Sequence, residues 1–210
     1  MRTLISIALV LTSLLSFTAD AKTDFVAGTH YFELGNEVSK TSQVVEYFSF
    51  YCPACYRAEP LMAQIKSWLP KPELFSKNHV DNMPGRDPKI ELILSQALIT
   101  AKLLNADNKI VPAIFDYIHK SRSTFNNIAD IKSLFLLNNI TEHDFDKTFN
   151  SFKVKTEAKK MQTNTVKLRK AGYSSVPTLL INNNYIPNTK NIKSMDEYRA
   201  LIQFLIAKTI

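Results

Sequence analysis

Cys52 and Cys55 are the only cysteines in a chain of 210 residues, and they stand three apart in Tyr51-Cys52-Pro53-Ala54-Cys55. Two thiols at this spacing can perform disulfide exchange: a thiolate attacks a disulfide sulfur, and a second thiol within reach resolves the mixed disulfide. Residues 43–50 (QVVEYFSF), just before the pair, are rich in Val and aromatics and read as a buried central strand. After it, Ala58, Leu61, Met62, Ile65, Trp68 and Leu69 follow a helical period, and Pro53 suits a first helical position. The pair therefore opens a helix, where free backbone N–H groups and the macrodipole stabilise a thiolate. Cys52, at the tip, should be the exposed member and Cys55 the buried one.

Two other uses of the cysteines are weaker. A structural disulfide closing a loop of about four residues would contribute roughly 2 kcal/mol, against about 3 for fifteen residues. A zinc site would need two further ligands, and His30, His79, His119 and His143 are scattered, with no closely spaced pair. The redox reading is favoured, and no metal is expected.

The elements that must position this pair are legible in outline. Apolar residues make up 45% and charged residues 21% of the chain, so it can build a core, which excludes a disordered or fibrous protein. With only 4 Gly and neither a Walker A nor a dinucleotide-binding pattern, a Gly-rich phosphate loop is not expected. Strands are expected over 29–34, 74–80 and 176–181, with a partner starting at Tyr185-Ile186 after a turn at Asn182-Asn183-Asn184. Helices are expected over 90–104, 111–120, 128–137, 141–149, 153–170 and 194–207. Pro60 falls inside the helix after Cys55 and should kink it. Strands bracket a helical block, and the divisions read from this order are a leader at 1–21, a first part at 22–84, a helical insertion at 85–152 and a second part at 153–210.

Met1-Arg2-Thr3, the apolar run 4–15 and Ala19-Asp20-Ala21 have the three-part form of a secretory signal peptide, with the mature chain starting near Lys22. Export implies a compartment where disulfides persist. The net charge of +7 is spread along the chain, densest at Lys153, Lys155, Lys159 and Lys160, and reads as a solvated helix face. Nucleic acid is not expected as a partner.

Residues 43–55 (QVVEYFSFYCPAC), 75–80 (FSKNHV), 150–155 (NSFKVK) and 175–185 (SVPTLLINNNY) together resemble DsbA-type periplasmic thiol:disulfide oxidoreductases. The resemblance spans nearly the whole mature chain, in the family's order. It implies an α/β architecture, a thioredoxin fold interrupted by an inserted helical domain. It implies that Cys52 is the nucleophile, Cys55 the resolving thiol, and Val176-Pro177 a cis-proline loop facing them, so that Val176, Pro177, Pro53 and Ala54 border the substrate. Glu46 is similar to the family's buried acid and Lys77 to its basic partner. A Glu inside Val44-Val45-Glu46-Tyr47-Phe48 faces a large burial penalty unless paired, which agrees. The resemblance further implies reduced exported proteins as substrates, re-oxidation by a DsbB-type inner-membrane protein, a periplasmic location and no soluble cofactor; a monomer is expected.

Two departures stand out. The dipeptide between the cysteines is Pro-Ala where the best-known members have Pro-His, and Ser175 stands where Gly is common. Competing functions are a reductase or isomerase and a peptide-binding chaperone with a vestigial disulfide. About seven residues before the first strand leave no room for an isomerase's dimerisation domain, Val176 stands where isomerases often have Thr, and two intact cysteines argue against the chaperone.

Overall fold

The computed structural model describes residues 24–209, so the expected signal peptide at 1–21 lies outside the described residues. A five-stranded sheet runs in the order β1-β5-β4-β2-β3, built from Tyr31–Glu33 (β1), Val44–Phe48 (β2), Phe75–His79 (β3), Thr178–Ile181 (β4) and Tyr185–Pro187 (β5). β2 and β3 are parallel, joined through helix α1 (Pro53–Trp68), and the remaining pairs are antiparallel. Between β3 and β4 come α2 (Pro88–Leu103), α3 (Asp107–His119), α4 (Ile128–Leu137), α5 (Glu142–Phe149) and α6 (Phe152–Lys170); α7 (Met195–Ala207) closes the chain.

Local chemistry accounts for the element ends. Asp87, Asn127, Thr141, Ser151 and Ser194 each accept an N–H of the helix they precede, the usual N-cap bond. α6 ends at Gly172, whose φ of +91° suits glycine; Tyr173 N–H returns to Leu168 O and Gly172 N–H to Arg169 O. Asn182 and Asn183 both take positive φ in the turn between β4 and β5. The buried Asn182 side-chain amide also donates to the carbonyls of Leu205, Ile206 and Lys208, tying that turn to the end of α7.

Three expectations shift. β2 stops at Phe48, because Ser49 turns the chain: its carbonyl accepts from Cys52 N–H and its hydroxyl from Tyr51 N–H. α3 starts at Asp107 rather than at 111; Pro112 lies in its second turn and the helix runs through it. β4 starts at Thr178, leaving Val176 and Pro177 outside the ladder, as Pro177 has no N–H to give.

The packing forms two main bodies. One gathers Val44, Ile65, Leu179, Ile181, Leu201 and Leu205 between the sheet, α1 and α7. The other is the core of α2 to α5, with Leu94, Ile110, Phe115, Ile131, Phe135 and Phe145, and it extends to Phe48, Phe50, Cys52 and Cys55. The cysteine pair is thus packed against the helical block. α6 lies along both α2 and β3, and Ile99, Val154 and Ala158 form a small cluster at its first half.

Candidate active site

Cys52 is the N-cap of α1: its sulfur accepts the backbone N–H of Cys55 at 3.4 Å. Its thiol also faces the carbonyl of Val176 at 3.5 Å. Both cysteines are free thiols. Cys55 is fully buried, and burial pushes its thiol well above the ordinary range, opposed by a backbone hydrogen bond from Ser49. Cys52 is the more exposed of the two, but at 9% it is largely covered. The expected order of the two therefore holds, but the helix tip is less open than expected, with the Val176 carbonyl against the Cys52 thiol.

The Val176-Pro177 bond is cis. The loop comes to Cys52 because β4 pairs with β2, Thr178 opposite Tyr47, so the residues just before β4 meet those just after β2. Pro53 and Ala54 form the first turn of α1, Pro53 exposed and Ala54 half-buried.

Beneath the pair, Glu46 of β2 is fully buried and lies beside Lys77 of β3, its register partner across the parallel ladder. Lys77 Nζ donates to Glu46 Oε2 and, at 2.7 Å, to Glu59 Oε1 of α1. It also sits 4.7 Å from the centre of the Phe48 ring, a cation–π distance. Desolvation raises the Glu46 carboxyl to about 6, although Lys77 pulls the other way. Burial opposes the charge of Lys77, but Glu46 and Glu59 more than offset it and hold the ammonium above its ordinary value. Glu46 Oε1 has no partner among the described residues, and the charge of Glu46 is among the influences that raise Cys55. The site therefore holds a buried carboxyl raised by desolvation, whose charge bears on the buried thiol of Cys55.

Groups that sequence reasoning did not single out surround the pair, from α1, β3 and α3. Tyr56, next to Cys55, donates its hydroxyl to Asp116 Oδ1 at 2.8 Å, and His119 Nε2 lies 2.8 Å from Phe50 O. His79 is buried against Phe48 and Phe50, with Nδ1 on Ser95 Oγ and Nε2 unpartnered among the described residues; burial lowers it to about 3. Glu59 was accessible to sequence reasoning, because it lies four residues after Cys55 on the same helix face. The two residues of α3 carried no such signal, being more than sixty positions from the cysteines. No group of three His, Cys, Asp or Glu side chains is placed to hold a metal among the described residues.

A thioredoxin family model matches residues 28–203. The chain is 31% identical to the thiol:disulfide interchange protein DsbA of Pectobacterium carotovorum over 203 residues, covering 92% of this chain and 94% of that one. The chain belongs to the DsbA-type thiol:disulfide oxidoreductases of the thioredoxin family. The DsbA of Buchnera aphidicola is also 31% identical, over 88% of this chain and 89% of that one. Among solved structures, DsbA of Proteus mirabilis with a non-covalently bound peptide matches with a TM-score of 0.74 at 24% identity, over 88% of this chain and all of that one. A second Proteus mirabilis DsbA structure matches with a TM-score of 0.73 at 25% identity, over 88% of this chain and 98% of that one. The expected fold, a thioredoxin fold with an inserted helical domain, is borne out. So is the enzyme class: the DsbA-type chain is a protein dithiol:disulfide oxidoreductase.

Proposed function

We propose that the protein is an exported oxidase that donates the Cys52–Cys55 disulfide to newly exported proteins. The observation that carries this reading is the placement of Cys52 Sγ at the helix N-cap, accepting Cys55 N–H. A thiolate leaves readily from that position, so a disulfide that releases it is readily given away.

In the forward direction a substrate thiolate attacks Cys52 Sγ of the oxidised pair. The Cys52–Cys55 bond breaks, its electron pair passes to Cys55, and a substrate–Cys52 disulfide forms. The buried Cys55 thiolate takes a proton, for which Glu46 is the donor, held in place by Lys77. A second substrate thiolate then attacks the substrate sulfur of the mixed disulfide and releases Cys52 as a thiolate. The substrate has lost two electrons and the cysteine pair has gained them. A DsbB-type inner-membrane protein supplies the oxidant that restores the pair. Val176 and Pro177 border the bound substrate, with Pro53 and Ala54 on the opposite side of Cys52. The protein works in the periplasm as a monomer, after removal of residues 1–21 as a signal peptide. No soluble cofactor enters this cycle.

The test is oxidation of a reduced dithiol protein by the purified, oxidised chain, together with the reduction potential of the pair against glutathione. An oxidase gives fast, stoichiometric substrate oxidation and a potential above that of thioredoxin, about −270 mV. A potential at or below that value would assign the protein to reduction instead.

A further inference from the structure

We infer that His119 is a positioning residue for disulfide exchange: it holds the carbonyl of Phe50 and thereby the turn that presents Cys52. The turn is anchored on one side by Ser49, whose carbonyl accepts Cys52 N–H at 3.0 Å and whose hydroxyl accepts Tyr51 N–H at 3.1 Å. Phe50 lies past the end of β2 and is fully buried, so its carbonyl needs a donor from elsewhere. His119 Nε2, at 2.8 Å, is that donor. A carbonyl only accepts, so Nε2 must carry a proton in this contact.

The ring itself is held in orientation. It stacks on Tyr56, with centroids 5.0 Å apart and planes 9° apart. Tyr56 is fixed in turn by its hydroxyl bond to Asp116, three residues before His119 on α3. Tyr56 directly follows Cys55, and Phe50 stands two residues before Cys52. The last turn of α3 therefore grips both flanks of the cysteine pair, from an element inserted more than fifty positions downstream.

Attack on Cys52 requires the incoming sulfur, Cys52 Sγ and the leaving Cys55 Sγ to lie nearly in line. Small misplacements of positioned groups cost large factors in rate. Without the donor, the Phe50 carbonyl is left buried and unpaired, and the turn relaxes toward a geometry that satisfies it. This inference rests on the family's exchange chemistry and not on the direction of electron flow proposed above, so glutathione exchange tests it either way.

The experiment compares His119→Phe, which keeps an aromatic ring against Tyr56 but has no donor, with His119→Gln, which keeps a donor and loses the ring. Single-turnover attack of a dithiol peptide on oxidised Cys52 is measured at 25 °C, with circular dichroism run alongside to check that each variant is folded. His119→Phe should slow attack roughly tenfold, equivalent to about 1.4 kcal/mol, while the equilibrium potential against glutathione stays unchanged. His119→Gln should recover to within about threefold of the unaltered protein, the loss of the stack being worth less than the loss of the donor. A folded His119→Phe at full rate would overturn the inference, as would His119→Gln falling as far as His119→Phe. A potential that moves with the rate would overturn it too, because the effect would then lie in the thiol pair's energetics. The unaltered protein provides an independent reading through ring ¹⁵N shifts of His119. A proton on Nε2 supports the assignment, and a neutral ring protonated on Nδ1 alone contradicts it even if neither variant folds.

Discussion

The Val176 carbonyl lies 3.5 Å from Cys52 Sγ, although 124 positions of sequence separate them. The antiparallel pairing of β4 with β2 creates this contact, so the sheet joins the end of one strand to the approach of another at the point where a thiol opens a helix.

Cys55→Ser should accumulate covalent mixed disulfides through Cys52, since no second thiol resolves them, while Cys52→Ser should abolish oxidation and trap nothing. Non-reducing electrophoresis reads both, after the remaining thiol of each variant is charged as a glutathione mixed disulfide and presented to a dithiol protein: a substrate thiolate attacks the variant's sulfur and glutathione leaves as a thiol. Trapping by Cys52→Ser but not by Cys55→Ser would reverse the two roles.

Glu46→Gln should remove an inflection near pH 6 from the turnover profile and slow turnover. The sign of the accompanying stability change follows from the raised carboxyl, about 6 folded against an ordinary 4.5. A raised group favours the fold below its unfolded value and loses that contribution as pH rises through its folded value. The unaltered protein should therefore lose roughly 2 kcal/mol relative to Glu46→Gln between about pH 4.5 and 6. Stopped-flow oxidation and urea unfolding across this range check both; a profile that keeps its inflection would leave Glu46 without a role in proton transfer.

His79→Leu should flatten the acid limb of the stability curve. His79 is held neutral down to about pH 3 by burial, whereas an unfolded histidine protonates near 6.5. As pH falls below 6.5 the unfolded chain gains a proton that the folded chain refuses, so stability falls by roughly 1.4 kcal/mol per unit until about pH 3. Unfolding free energies at pH 6.5, 5 and 4 for both proteins give the slopes; equal slopes would mean another group controls the acid limb.

Ala54→His should make the protein a stronger oxidant by some tens of millivolts. A histidine beside Cys52 can donate a hydrogen bond to the thiolate, worth roughly 1.5–3 kcal/mol, and about 1.4 kcal/mol corresponds to roughly 30 mV for a two-electron couple. The bond exists only in the dithiol form, so it raises the potential. Glutathione equilibration of both proteins measures the difference, and an unchanged potential would show that the N-cap bond from Cys55 N–H already dominates the thiolate.

The sequence alone was enough for the family, the fold class and the chemistry, because these rest on short-range features: two cysteines on one helical turn, a buried strand before them, and Val-Pro opening a later strand. Period and capping residues also placed the helices to within a few positions. Glu46 stood out because a charge inside an apolar strand must find a partner. What lay beyond reach was anything set by the packing of distant segments. Only the tertiary structure placed Cys52 under the Val176 loop, so that the helix tip is covered rather than open. Only it gave Lys77 a second carboxylate in Glu59, and turned His119 and Tyr56 of separate elements onto each other. The physical reason is that a strand or helix advertises its own period, whereas the partner of a buried polar group is chosen by which elements pack face to face, and that choice belongs to the whole chain.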